Sequence, residues 1–88
     1  MSNIQLNKAV FTVKKVMARY MPILYVVHDT HDEWQFLTGE DVDMQDMMLV
    51  AWSEIVEIDS SIATLDLGMG YEAVRKTISA NWSIRKID

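Results

Sequence analysis

Ile23-Leu24-Tyr25-Val26-Val27 is an unbroken run of β-branched, aromatic and aliphatic side chains, entered through Pro22 and left through the polar stretch 28–33. A membrane span needs roughly 18 or more apolar residues, so this run belongs to a globular fold. Its β-rich composition favours a strand. A strand apolar at both alternating positions is expected inside a sheet, covered on both faces. The rest of the chain has to supply that sheet. Trp34-Gln35-Phe36-Leu37-Thr38 is a second strand, and the six polar residues between the two read as the loop of an antiparallel hairpin, ended by Gly39.

Around this hairpin the pattern is mixed. Ala9 to Val13 reads as a short strand, followed over 14–19 by one or two helical turns that close before Pro22. A single amphipathic helix over 6–20, with Val10, Val13, Val16, Met17 and Tyr20 on one face, fits the same residues. Residues 40–46 form an acidic loop. Met47 to Val50 suits a strand or the lead-in to a helix, and 53–58 reads as helix, with Ile55 and Ile58 three apart. Asp59 is placed to cap a new turn in which Ile62 and Leu65 face the core. Gly68 and Gly70 mark a sharp break. Residues 71–76 suit a strand, 79–81 a turn and 82–85 a last strand with Trp82 and Ile84 on one face. Strands, a short helical middle and more strands make an α+β domain with a mostly antiparallel sheet. With no βαβ units of about 30 residues, no parallel sheet is expected.

The chain has 88 residues, with no repeat and no linker, and is expected to be one domain spanning 1–88. It has no cysteine, which excludes disulfide staples and thiolate chemistry. Its seven methionines suit irregular core gaps. No secretory leader is legible near the start, so a cytoplasmic location is expected.

Charge is segregated. Lys8, Lys14, Lys15 and Arg19 lie near one end and Arg75, Lys76, Arg85 and Lys86 near the other, while every acidic residue except Asp88 lies between them. The net charge of −5 opposes phosphate backbones, so a nucleic acid is not an expected partner, and with no apolar run near the roughly 18 residues of a span, neither is a membrane. A basic protein suits the acidic middle. Glu40, Asp41, Asp43 and Asp46 are the expected contact residues, with Trp52 as an anchor where the acidic loop meets the first helical segment. The bland counterparts are a solvated acidic face, basic ends folded back against it, and a tryptophan inside the core.

Reaction chemistry finds little support. His28-Asp29-Thr30-His31-Asp32 brings two imidazoles and two carboxylates together in sequence, but on a loop and without a third distant histidine. A small metal-dependent hydrolase built on His28 and His31 is the enzymatic alternative, and an oligomerising structural domain is another. Asp41-x-Asp43-x-x-Asp46 fails as a calcium loop, because Asp46 and Trp52 stand where an EF-hand needs Gly and Glu. Gly68-Met69-Gly70 lacks the third glycine of a dinucleotide fingerprint, and there is no G-x-S-x-G. No catalytic residue, metal or cofactor is assigned, and the oligomeric state is left open.

The order of features resembles a family of small bacterial domains of unknown function, grouped with candidate immunity proteins of polymorphic toxin systems. The resemblance runs from Ala9 to about Arg85. It is carried by Ala9-Val10-Phe11-Thr12, Lys14-Lys15-Val16, Pro22-Ile23-Leu24-Tyr25-Val26, His28-Asp29, Trp34-Gln35-Phe36-Leu37-x-Gly39-Glu40, Ile55-Val56-x-Ile58-Asp59, Asp66-Leu67, Gly70-Tyr71-x-Ala73-x-Arg75 and Trp82. The family pattern favours Ser where Ala51 stands and Pro where Ser60 and Gly68 stand. The resemblance implies an α+β domain without established catalytic residues, and an immunity-type role as a non-enzymatic inhibitor that binds a protein.

Overall fold

A computed structural model describes residues 7–87. Six strands form one sheet: β1 (Ala9–Val13), β2 (Tyr25–His28), β3 (Trp34–Leu37), β4 (Met47–Ala51), β5 (Tyr71–Val74) and β6 (Ser83–Lys86), in the spatial order β4-β1-β3-β2-β5-β6. Two short α-helices, α1 (Lys14–Met17) and α2 (Trp52–Ile58), join 3₁₀ turns at Met44–Asp46 and Ser60–Thr64. The fold is the expected α+β. No helix among the described residues is long and apolar enough to cross a membrane.

Of the two readings of the first segment, the strand followed by a helical turn is the one observed. The sheet is mostly antiparallel, as expected, and contains one parallel pair that the absence of βαβ units did not foreshadow. β2 and β3 form the hairpin, with Val26 opposite Phe36, and the chain reverses twice before β3 slots in beside β1. β3 therefore runs parallel to β1, with Thr12 beside Phe36, and no βαβ crossover is needed. The other pairs are antiparallel. Thr12 sits in this parallel seam, where its hydroxyl donates to the Phe36 carbonyl at 2.7 Å.

Alternation along the strands sorts the side chains. Val10, Thr12, Phe36, Val26 and Ala73 share one face and are fully buried. Ile55 of α2, Ile62, Leu65 and Leu67 belong to the same core. The second face is more open. Phe11, Tyr25, Val27, Gln35 and Val74 on it are half-buried, and Leu49 of the edge strand β4 is 63% exposed. β2 is interior as expected but closely covered on one face only. On the open face the Tyr25 hydroxyl donates to Glu72 at 2.7 Å, and Arg85 donates to the other oxygen of that carboxylate. Burial and then the Glu72 bond raise the Tyr25 pKa, while the Tyr25 and Arg85 bonds outweigh burial and lower that of Glu72.

Ala51 caps α2 with extended backbone (φ −80°, ψ 146°), and its N–H donates to the Glu54 carboxylate at 2.8 Å. That is half of a capping box, since alanine has no oxygen to return to the helix N–H groups. Ala51→Ser completes the box. The expected gain is about 1 kcal/mol, a rise in Tm of about 5 °C by calorimetry.

Candidate functional site

One end of the sheet gathers three loops. β1, β3 and β5 finish there, and β2, β4 and β6 begin there, as the pairings Val13–Met47, Tyr25–Leu37 and Val74–Ser83 show. The connections 18–24, 38–46 and 75–82 therefore share one rim.

The 38–46 connection carries Glu40, Asp41, Asp43 and Asp46. Gly39 turns it with a left-handed φ of 91°, open to glycine without strain. The Thr38 hydroxyl accepts from the Glu40 N–H at 3.3 Å. Asp43 caps the 3₁₀ turn, its Oδ1 accepting from the Gln45 N–H at 3.0 Å. The structure thus brings the four expected acidic residues onto one loop. Lys15 of α1 lies 3.5 Å from the Glu40 carboxylate, an exposed pair of small energetic weight. Among the described residues, Asp41, Asp43 and Asp46 have no cation within ion-pair distance. Between them stand Val42, 41% exposed, and Met44, 80% exposed. The partly open hollow beneath the loop is about 30 Å³, enough for water and too small for an organic ligand.

Trp52 is not brought to this surface. It is 7% exposed and packs in the core as the first residue of α2, so in this conformation it offers no anchor to a partner. Its indole N–H has no acceptor among the described residues. The apolar groups the loop does offer are Val42 and Met44. They escaped the sequence reading because isolated aliphatic residues in a loop carry no periodicity to assign them inside or out.

The basic ends fold back in part. Lys8 lies 3.6 Å from Asp32, Arg75 is 2.5 Å from Asp59, and Arg85 pairs with Glu72. Arg75 is the deepest of these. Its guanidinium donates to the Ile23 carbonyl through Nη2 at 2.8 Å and Nε at 3.1 Å, and it stands 4.1 Å over the Trp82 ring. Burial pushes the Asp59 carboxyl up, but bonds from Ser61 and Arg75 outweigh it and the net pKa is lowered. These pairs tie the ends of the chain to the middle, yet they leave the 41–46 segment unpaired.

His28 and His31 do not converge. His28 is buried at the far end of the sheet, with Nδ1 2.7 Å from the Leu67 carbonyl and Nε2 2.6 Å from the Asp32 carboxylate. Both ring nitrogens are engaged with oxygen, and a metal would have to displace one of those partners. His31 is exposed, and its backbone N–H donates to Asp29 at 2.9 Å. The His28 bond, with Lys8 nearby, overcomes desolvation to lower the Asp32 pKa. This cluster closes the β2–β3 turn, where Asp32 takes a left-handed φ of 62°.

The rim also holds a feature the sequence reading did not isolate. Met21, Pro22, Leu24, Ile58 and Ile78 line an open cleft of about 560 Å³, bordered by Arg19, Tyr20 and Lys76. Arg19 and Lys76 have no carboxylate within ion-pair distance among the described residues. They lie 57 residues apart in sequence, and only the β2–β5 pairing brings them together. Comparisons with protein-family models, with curated proteins and with solved structures gave no match.

Proposed function

We propose that this chain is a non-enzymatic protein-binding module whose 40–46 loop docks on a basic partner, and that its role is that of an acidic immunity-type inhibitor. The observation that carries the reading is the composition of the loop surface. Three carboxylates with no cation in ion-pair distance among the described residues flank two exposed aliphatic side chains on a segment held by its own cap and turn. Held in place, such charges steer an oppositely charged surface and speed encounter. Val42 and Met44 supply the apolar contact that charge alone does not. Met44 suits partners of varied shape, because its side chain is unbranched and adaptable.

The test is capture from a lysate of the source cell on immobilised protein, at about 0.05 M and about 0.5 M salt, where screening lengths differ roughly threefold. A basic protein is expected to be retained at low salt and to fall about tenfold at high salt. Asp41→Asn combined with Asp46→Asn is expected to weaken retention at low salt by a similar factor. Capture that is unchanged by both salt and the double substitution, or no basic protein at low salt, overturns the reading.

A further inference from the structure

We propose that the Arg19–Lys76 cleft is covered by the 41–46 loop of a second copy of this chain, so that two copies join rim to rim about a two-fold axis.

The cleft and the loop are complementary in chemistry. The cleft is apolar along its floor and bordered by two cations that have no carboxylate within ion-pair distance among the described residues. The loop alternates acid and aliphatic residues, Asp41-Val42-Asp43-Met44, with both aliphatic groups in solvent. Seating Val42 and Met44 against Leu24 and Ile78 places Asp41 and Asp43 beside Arg19 and Lys76. Water then leaves apolar surface on both sides, the favourable component of most association. Ile78 is 67% exposed and Tyr20 81% exposed in the single chain, so this surface is open to such cover.

The topology explains why the contact closes on itself. The loop crosses from β3 to β4 over β1, and the cleft lies at β2 and β5 on the same rim. Strand spacing puts the two about 10–15 Å apart. With donor and acceptor surfaces side by side on one edge, a two-fold rotation sets each loop opposite the other copy's cleft. Both contacts form at once and no open surface is left to propagate a fibre. Doubling a modest contact in this way raises the apparent affinity without new chemistry. The inference does not rest on the existence of a basic partner, although a dimer would cover the same loop.

Sedimentation equilibrium on the purified chain tests it. The mass is expected to rise from one chain toward two with concentration, and the dissociation constant to increase with salt. Lys76→Glu and Asp41→Lys are each expected to weaken the dimer by about tenfold or more, as like charges then face one another. Both positions are exposed, so the fold is expected to survive, which far-UV circular dichroism checks. Mixing the two variants is expected to restore the dimer, because one contact in the mixed pair is then unchanged and the other has both its charges reversed together. A chain that stays monomeric at all concentrations overturns the proposal. So does a dimer indifferent to both reversals, or a mixture that fails to recover. A dimer broken only by Leu49→Lys would place the interface at the β4 edge and overturn it as well.

Discussion

Arg75→Ala is expected to remove about 3–5 kcal/mol of stability, the size seen when one member of a buried ion pair is deleted. A domain of this length holds only about 5–13 kcal/mol in all, so the variant sits close to unfolding at room temperature. Three separate ties break at once. The Ile23 carbonyl loses two donors, Asp59 loses its cation at 2.5 Å, and the face of Trp82 loses the guanidinium above it. Those ties connect β5 to the chain just before β2, to the turn after α2 and to the lead-in of β6. Arg75→Lys keeps the charge but not the planar fork or the stack, and is expected to cost less than alanine and more than about 1 kcal/mol. Urea unfolding of the three proteins measures the order. An alanine variant as stable as the parent would show the guanidinium to be incidental.

The same hub predicts how acid acts. The Asp59 carboxyl titrates below its ordinary value of 3.8 in the folded chain. A carboxylate with a depressed folded pKa stabilises fully above its unfolded pKa, and that contribution is lost as pH falls through the folded value. Asp32 and Glu72 shift in the same direction. Stability is therefore expected to hold above about pH 5 and to drop steeply below about pH 4. Asp59→Asn is expected to make that drop shallower while lowering stability at neutral pH. An acid limb identical in the two proteins would contradict the assignment.

Much of this architecture follows from local pattern. Continuous β-rich runs identified β2 and β3 and the polar loop between them, because alternation and turn residues act over a few positions. Asp59 was legible as a cap for the same reason, and its Oδ1 accepts from the Ser61 N–H at 3.0 Å. The parallel β1–β3 seam was not legible, because it depends on which side of β2 the hairpin returns, a matter of packing between distant segments. Arg75 stood in the sequence as one more basic residue near the chain end. Its burial arises only when β5 lays it against Ile23, 52 residues away in sequence. The acidic loop could be named from charge order alone. The cleft that faces the same rim could not, since its two cations come from opposite ends of the chain.

Trp34→Ala is expected to cost about 3–5 kcal/mol, and its effect should spread in a particular direction. The Trp34 ring is 5% exposed and is stacked on both sides along the strand face, on His28 at 3.9 Å between centroids and near Phe36 at 5.9 Å. Removing the indole leaves a cavity beside His28, whose ring holds the Leu67 carbonyl and whose own carbonyl accepts from the Gly70 N–H at 2.7 Å. The segment entering β5 thus depends on a side chain two strands away. Amide exchange at Gly70 is expected to accelerate more in Trp34→Ala than in a variant of equal cost elsewhere in the core, such as Ile55→Ala. Trp34→Phe keeps a ring against His28 and is expected to retain much of the protection. A double-mutant cycle with His28→Ala is expected to give a coupling of about 0.5–1.5 kcal/mol, the worth of an aromatic stack beyond its buried area. Additive losses in that cycle would mean that the two rings merely share a core, and that the 65–70 segment is held by other contacts.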